Sequence, residues 1–297
     1  NWSLTTDDGV NLLNPGRTPA QKTQFLIFLM AVIKAVDDYA DLMRISAASA
    51  GNDHRLGGNE APPAIVSIFL GDELTHVLES IENDTYFGKQ EKIQLDTGAP
   101  VLPHFLKDNT DRNRTSPFAF TGNKFEFRML GSAASVATPN IILNTAVAES
   151  LDQFYEELKD TDPADMDEAV HALLKRAIQK HKKVIFNGNG YSDEWVKEAS
   201  RRGLDNLEST PDCLERLLTA KSITLFTKHH IYTEEEIRSR HDILLENYVK
   251  TIAIEARTMV DILSRDFLPA LLSYTGAVAS STSSKKALLP DLKTDAE

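Results

Sequence analysis

Apolar residues that recur every three or four positions predict several helices along this chain. The clearest helix follows Thr18-Pro19, a pair of residues suited to the cap and the first turn. Its apolar positions are Phe25, Phe28, Leu29, Val32, Val36 and Tyr39. Similar patterns predict helices over residues 72–82, 138–159, 163–187 and 191–202, another that begins at Thr210-Pro211, and a long one from about residue 232 to about residue 271. The second half of the chain is therefore predicted to be mostly helical.

Shorter apolar runs predict the strands. Residues 65–70 form one such run, and residues 1–16 are typical of a strand followed by a turn. Two further strands are predicted on either side of the turn residues 121–123. Residues 83–109 are polar and predicted to be irregular, and the Ser-rich residues 277–286 are predicted to be a linker or a helix break.

The strand after the 121–123 turn alternates charged and apolar side chains. Because successive side chains of a strand point to opposite faces, Lys124, Glu126 and Arg128 share one face. Phe125 and Phe127 point to the other face and into the core. A row of cation, anion and cation on one face suits a site that holds a metal ion and anionic substrates.

Residues 51–63 are rich in turn residues and also dense in ionisable ones. Turn residues favour a loop, and loops carried by a rigid scaffold often hold binding and catalytic groups. This segment is therefore predicted to be a functional loop.

Composition limits the class of protein. The chain has 297 residues, of which 41% are hydrophobic and 26% charged, as in an ordinary globular protein. Its net charge of −12 argues against a general affinity for nucleic acid or for an anionic membrane. One cysteine, Cys213, excludes an intrachain disulfide and favours a reducing, cytoplasmic location. The apolar run at residues 25–36 is interrupted by Lys34 and is too short to span a bilayer.

Four spaced segments resemble glutamine synthetase, and specifically its type III branch. They are the opening residues 1–4 (NWSL), residues 55–62 (RLGGNEAP), residues 112–115 (RNRT) and residues 124–128 (KFEFR), in the order in which the family has them. The second segment is one residue shorter than the family's pattern. The resemblance implies an α+β fold, with part of a curved antiparallel sheet and outer helices over residues 1–190 and a mostly helical region over residues 191–297.

The family's activity implies a ligase. It joins ammonia to L-glutamate at the expense of ATP, with a divalent ion, Mg²⁺ or Mn²⁺, and through a γ-glutamyl phosphate intermediate. In this family the active site lies between subunits, so the resemblance also implies a homo-oligomeric ring, a dodecamer. Since the chain begins within a family motif, we expect it to be part of a longer protein and to be inactive by itself.

By resemblance, Glu126 would be a ligand of the divalent ion, as carboxylate oxygens are for Mg²⁺ and Mn²⁺. Arg128 and Arg55 would bind the carboxylate of glutamate, which a guanidinium fork fits well. Glu60 would be the catalytic residue that takes the proton from ammonium, on a flap that hinges at Gly57-Gly58.

The nucleotide contacts follow from the same resemblance. Arg114 would be a catalytic residue that neutralises charge on the ATP phosphates. Lys124 stands where other branches have an arginine near the nucleotide, and Ser3 aligns with a nucleotide-contacting serine. The family has a further arginine shortly after Arg114, but residues 117–120 hold no cation.

Plainer interpretations stay open beside these roles. Glu126 could form a strand salt bridge with Lys124 or Arg128, and Ser3 could be an ordinary strand hydroxyl. Arg55 and Glu60 could be loop charges without a catalytic role. His54, beside Arg55, could contact the nucleotide or the substrate, but a lone histidine in a loop is more often structural. His229-His230 has no acidic or cysteine partner at metal-ligand spacing and is expected at the surface, and the basic residues 175–183 are expected to be a solvated helix face.

Two other functions also stay open. The first is a related ligase that joins glutamate to a larger amine, such as a polyamine. The second is a non-catalytic family member with a structural or regulatory role, although the retained Arg55, Glu60, Glu126 and Arg128 argue against it.

Overall fold

The computed structural model of the protein describes residues 1–58, 61–85 and 114–288. They divide into two compact units, Asn1–Leu245 and a second that begins at Glu246. The helices are α1 (Pro19–Asp38), α2 (Ala40–Ser46), α3 (Ala50–Arg55), α4 (Asp72–Glu82), α5 (Ala137–Leu158), α6 (Met166–His181), α7 (Asp193–Arg201), α8 (Thr210–Leu214), α9 (Ala220–Lys228), α10 (Glu234–Ile262) and α11 (Leu268–Leu288). Short 3-10 helices cover Lys182–Val184 and Glu215–Leu218, and a π-helical segment covers Leu263–Phe267. The strands are β1 (Ile68–Phe69), β2 (Phe118–Phe120) and β3 (Phe125–Phe127).

The three strands form one small mixed sheet in the order β1-β2-β3. Strand β1 runs parallel to β2, with Ile68 opposite Phe118, and β2 runs antiparallel to β3, with Ala119 opposite Glu126. The resemblance led us to expect an antiparallel sheet, but the sheet is mixed because β1 and β2 are parallel. The reason is topological, because more than forty residues, helix α4 among them, separate β1 from β2, and parallel strands need such a long crossover.

The hydrophobic core of the first unit lies between α1 and the elements around it. Helix α1 packs against α5 and α6, and its residues 29–36 are buried on all sides. Beside it, the aromatic rings of the β2–β3 hairpin pack together, with Phe118 and Phe125 stacked at 4.6 Å between ring centroids. Burying each such side chain stabilises the fold by about 1.5–3 kcal/mol. The apolar face of β3 is therefore fixed in the core, and the charged face is held opposite it.

Several sequence predictions are confirmed. Helix α1 begins after Thr18, which forms a capping box with Gln21. Helix α4 has the predicted bounds 72–82, and β2 and β3 flank the predicted turn, where Gly122 has a φ of +90°. The domain boundary predicted near residue 190 stays a prediction.

Two predictions of irregular structure are wrong. The predicted loop at residues 51–63 begins as a helix, α3, because the Ser49 side chain accepts a hydrogen bond from the backbone N–H of Asn52 and caps the first turn. The predicted linker at residues 277–286 lies within helix α11. Alanine is the best helix former and serine is tolerated in helices, so a Ser/Ala-rich composition does not exclude a helix there.

The π-helical segment at Leu263–Phe267 lies just before Pro269, the second residue of α11. A proline inside a long helix lacks a backbone N–H, and its ring clashes with the carbonyl four residues earlier. A wider π turn relieves such a conflict. None of the helices in the described part of the chain is long and apolar enough to cross a membrane.

Candidate functional site

The charged face of β3 and the residue after it carry the centre of the predicted site. The guanidinium of Arg128 donates to Glu126 Oε2 from Nη2 at 2.9 Å and from Nε at 3.3 Å. Their side chains are only 19% and 23% exposed, respectively. The strand salt bridge therefore forms, and metal binding by Glu126 stays a prediction beside it.

Arg55 reaches the same end of β3 from the last residue of α3. Its Nη1 donates to Asn52 Oδ1 at 3.0 Å and to the carbonyl of Met129 at 3.1 Å. Its Nη2 lies 3.3 Å from the carbonyl of Arg128. The structure thus brings together the two arginines that were predicted to bind glutamate, although Arg55 lies on a helix and not on a loop.

Asn52 ties helix α3 to the chain that follows β3. Its side chain is buried, and its Nδ2 donates to the carbonyls of Ala47 at 2.6 Å and Met129 at 2.8 Å. Its Oδ1 accepts from Arg55. Every polar atom of this amide therefore serves to hold Arg55 against the end of the strand.

A buried ion pair fixes the other side of α3, and sequence reasoning did not find it. Arg44 is 1% exposed and pairs with Asp53 at 2.8 Å, while it also donates to the carbonyls of Leu207 and Glu208. Asp53 accepts from the backbone N–H of Thr210 at 2.6 Å and from its hydroxyl at 2.9 Å. The only signal in the sequence is Arg44 itself, an arginine within the apolar stretch at residues 42–45. Burial of a charged side chain is strongly unfavourable unless the charge is paired, so such a position indicates a buried partner.

Ser3 lies on the opposite edge of β3. The N-terminal segment joins the strand through two backbone hydrogen bonds between Trp2 and Phe125, each of 2.8 Å. The Ser3 hydroxyl lies 2.9 Å from both Asn11 Oδ1 and the carbonyl of Asn123. These contacts explain Ser3 as a structural hydroxyl beside the turn, and its contact with a nucleotide stays a prediction.

Lys124 and Arg114 lie at the two ends of the β2–β3 hairpin. The carbonyl of Lys124 accepts from the N–H of Thr121 at 2.8 Å and closes the turn, and the Lys124 side chain is half-buried. Arg114 is exposed and lies three residues before Pro117, whose carbonyl accepts from the N–H of Arg128 at 2.8 Å. The segment that contains the hairpin therefore carries three of the predicted cations, Arg114, Lys124 and Arg128, while Arg55 lies on α3.

Glu60 lies outside the described residues, as do the first two residues of the 112–115 motif. The described parts of the flap are its ends. Gly57 has a φ of +78°, which favours glycine, and its N–H donates to the carbonyl of Pro62 at 3.0 Å. Arg55 lies two residues before Gly57, so the predicted flap begins beside Arg55 and Arg128, whose binding of glutamate stays a prediction.

One cluster among the described residues has the composition of a metal site, but it lies away from β3. It consists of Asp37, Asp38 and His181, whose ligand atoms lie within 4.8 Å of one another. Lys34 pairs with Asp38, and Lys183 Nζ lies 3.4 Å from Asp37 Oδ1. Two ammonium groups already balance the two carboxylates, so the cluster is an ion-pair network that joins the C-terminal ends of α1 and α6.

Glu126 fits the role of a single metal ligand. Mg²⁺ is commonly held by one or two carboxylates together with substrate phosphates and water. The partly exposed carboxylate of Glu126, with cations on both sides along the strand face, has the donor chemistry for such a shared site. Glu126 would thus supply one ligand of such an ion, a role that stays a prediction.

The buried carboxylate of Glu149 is an acidic partner of His229, which sequence reasoning did not find. His230 is exposed, as expected. Glu149 on α5 accepts hydrogen bonds of 2.7 Å from Lys228 Nζ, from His229 Nε2 and from Gln153 Nε2. His229 thus has an acidic partner, which the sequence spacing does not reveal because 80 residues separate the two. Burial raises the pKa of Glu149, but the three hydrogen bonds outweigh it and lower the pKa below its usual value.

The basic residues of the 175–183 segment are only partly a solvated face. Lys175 pairs with Asp84, and Lys182 lies 2.6 Å from Glu82 at the end of α4. These partly exposed pairs connect α6 and the 3-10 helix after it to the end of α4, and exposed pairs of this kind contribute little to stability.

The comparisons with known proteins agree with the family named from the sequence motifs. A model of the glutamine synthetase C-terminal domain matches residues 169–286. A glutamine synthetase of Butyrivibrio fibrisolvens is 49% identical over 290 residues, which are 97% of this chain and 41% of that protein. The type-3 glutamine synthetase of Dictyostelium discoideum is 48% identical over 96% of this chain and 39% of its own length.

A third relative, the glutamine synthetase of Bacteroides fragilis (strain YCH46), is 42% identical over 92% of this chain and 38% of its own length. The chain therefore spans about two fifths of the length of the curated relatives that it matches.

Proposed function

We propose, because this chain is a relative of the type III glutamine synthetases, that it is part of an enzyme that ligates ammonia to L-glutamate with ATP. The observation that carries the proposal is the joint placement of Arg55, Glu126 and Arg128 at one end of β3. These residues lie within the motifs that resemble the family. The fold brings together the motifs at residues 55–62 and 124–128, and the contacting residues Arg55 and Arg128 are 73 positions apart in the chain.

Arg128 and Arg55 would bind glutamate. A guanidinium fork binds a carboxylate with two parallel hydrogen bonds, and the pairing of Arg128 with Glu126 shows that its fork can meet a carboxylate in this place. Arg55 donates to the backbone carbonyl of Arg128 and so also orients its partner.

The nucleotide phosphates would lie along the hairpin. Arg114 and Lys124 supply positive charge at its two ends, and Ser3 lies beside the turn. Glu126 would hold a divalent ion, Mg²⁺ or Mn²⁺. When bound, that ion neutralises charge on the transferring phosphoryl group.

The reaction would proceed in two steps. The γ-carboxylate of glutamate attacks the terminal phosphorus of ATP, and ADP leaves, so that an acyl phosphate forms. Glu60 would take a proton from ammonium, and the ammonia formed would attack the acyl carbon. The C–O bond to the phosphoryl group would then break, and inorganic phosphate would leave with the proton that the nitrogen loses. The cations of the site stabilise the charge that develops on the phosphoryl oxygens.

We also propose a homo-oligomer, a dodecameric ring by resemblance. Support comes from α10 and α11, where large apolar side chains such as Met259, Leu271 and Leu272 are exposed. Exposed apolar side chains in such numbers are typical of surfaces that contact other chains.

The test is ADP release by the full-length native protein with glutamate, ammonium and Mg²⁺. Release that requires both substrates, and that falls by about 100-fold or more in Glu126→Gln, would support the ligase and the metal role, since one lost charge-stabilising contact costs on the order of 100-fold. The matched control is Glu246→Gln, which removes an exposed carboxylate that is also paired with a cation. Release that does not depend on ammonium, or that prefers a polyamine, would contradict glutamine synthesis.

A further inference from the structure

The loop at residues 187–190 (NGNG), between the 3-10 helix at Lys182–Val184 and α7, contacts the chain that enters β2. The backbone N–H of Gly190 donates to Thr115 Oγ1 at 2.7 Å. Thr115 directly follows Arg114, the proposed phosphate-binding arginine. The loop therefore touches the proposed nucleotide site from a part of the chain in which the sequence motifs indicate no function.

Gly190 approaches Thr115 too closely for any other residue. A Cβ built on Gly190 would lie 2.5 Å from the backbone oxygen of Thr115 and 3.3 Å from its hydroxyl. The φ of Gly190 is outside the left-handed range, so its backbone conformation would accept alanine, and only the space forbids it. Because the obstacle is a backbone atom, a side chain at residue 190 would displace Thr115 or the loop itself.

Asn187 fixes the beginning of the same loop. Its Oδ1 accepts from the N–H groups of Leu70 at 3.1 Å and Gly71 at 3.2 Å, and its Nδ2 donates to Thr75 Oγ1 at 2.8 Å. These contacts attach the loop to the end of β1 and to the first turn of α4.

An aromatic stack joins the residue before the loop to the helix that follows it. The rings of Phe186 and Trp195 stack at 3.7 Å, and the guanidinium of Arg202 lies over both. Arg202 also donates to the carbonyl of Ile185 at 2.9 Å. The loop that contacts Thr115 is thus anchored through Asn187 at its start and through the Phe186–Trp195 stack beside it.

We propose that Gly190 is a positioning residue for Arg114, and thus for the binding of the ATP phosphates. Its N–H and its lack of a side chain set the place of Thr115, and Thr115 sets the backbone from which Arg114 extends. The inference rests on the proposed function, since it assigns a support to a residue of the same site.

The test compares Gly190→Ala with wild type in the full-length enzyme. The KM for ATP is expected to rise about tenfold or more, because displacing a positioning group by about 1 Å can cost on the order of 100-fold, while the KM for glutamate stays unchanged. The matched control is Gly276→Ala on α11, where the new Cβ would meet no atom within 4 Å. If Gly190→Ala does not fold, Thr115→Val removes the hydroxyl acceptor without a clash and should raise the same KM to a smaller extent.

A double variant separates positioning from general damage. If Gly190 acts through Arg114, Gly190→Ala in an Arg114→Ala background should add little to the rise in the KM for ATP. A folded Gly190→Ala enzyme with an unchanged KM for ATP, an equal rise in both KM values, or additive effects would overturn the inference. A wild-type enzyme without glutamate-dependent ATP turnover would instead remove the proposed function, and this inference with it.

Discussion

Glu126 and Arg128 are each other's partner in the structure, although each is proposed to bind a different ligand. The side chains of Arg128 and Glu126 are only 19% and 23% exposed, so the pair lies between a surface salt bridge and a buried one. In the proposed site, the substrate carboxylate would take the place of Glu126 beside Arg128, and the divalent ion would take the place of Arg128 beside Glu126, so each charge would keep an opposite charge next to it. In the structure described, the salt bridge holds both side chains at the end of β3.

Arg55 differs from Arg128, because its guanidinium already donates to one side-chain oxygen and two backbone carbonyls. Arg55→Lys keeps the charge but loses the planar fork, so it cannot hold all three acceptors. We expect the KM for glutamate to rise about tenfold, or about 1.4 kcal/mol, with a smaller change in kcat. Steady-state kinetics with Arg257→Lys, at an exposed position of α10, as the control would check this; an unchanged KM would contradict the assignment.

Glu149 makes the stability of the first unit depend on pH. Its lowered pKa means that its contribution is present above the pKa of an unfolded glutamate, about 4.3, and is lost as the pH falls through its folded pKa. We expect Glu149→Gln to lower the free energy of unfolding by about 2 kcal/mol at pH 7.

Denaturant unfolding at several pH values measures this effect. The difference between Glu149→Gln and wild type should shrink as the pH is lowered toward 3, because the wild-type carboxylate then becomes neutral. Glu156→Gln, which removes an exposed partner of Lys159, is the control and should change little at any pH. A difference that does not depend on pH would contradict the role of the charge.

At the scale of elements, α3 shows what the sequence could not reveal. Its residues favour a turn, yet Ser49 caps a helix there, and Arg44 and Asp53 connect it to Thr210, more than 150 residues away. Short helices depend on such tertiary contacts, because an isolated helix of this length is not stable. Long periodic helices such as α1 and α4 carry enough local signal and were predicted from the sequence alone.

Asp53→Ala should therefore destabilise the first unit strongly. It leaves the buried guanidinium of Arg44 without its carboxylate, which typically costs about 3–5 kcal/mol. Chemical denaturation of the variant checks the value. Asp205→Ala is the control, since its pair with Arg216 is exposed and 3.6 Å long, and a similar loss of stability in both variants would contradict the importance of burial.

In the sheet and in the site, too, the sequence predicts the local features and not the contacts between distant segments. The alternation at residues 124–128 predicted which side chains of β3 face the core, since that pattern is local. The parallel pairing of β1 with β2 and the contact of Gly190 with Thr115 depend on distant segments, so no local pattern indicates them. The catalytic and binding roles were predicted from the family's motifs and not from local patterns. The role of Glu60, which lies outside the described residues, stays a prediction.

At the scale of the whole molecule, the exposed apolar side chains of α10 and α11 bear on assembly. We expect the native full-length protein to be a homo-oligomer, because a soluble monomer rarely exposes so many large apolar side chains. Sedimentation velocity at enzyme working concentrations checks this expectation. A single species with the mass of one chain would contradict it.

The most direct test of the central claim is the transfer of ¹⁵N from labelled ammonium into glutamine by the full-length native protein. With glutamate, ATP and Mg²⁺ present, we expect one labelled glutamine for each ADP formed, and no labelled product when ATP is omitted. Absence of labelled glutamine from a folded protein that still hydrolyses ATP would contradict the proposed function.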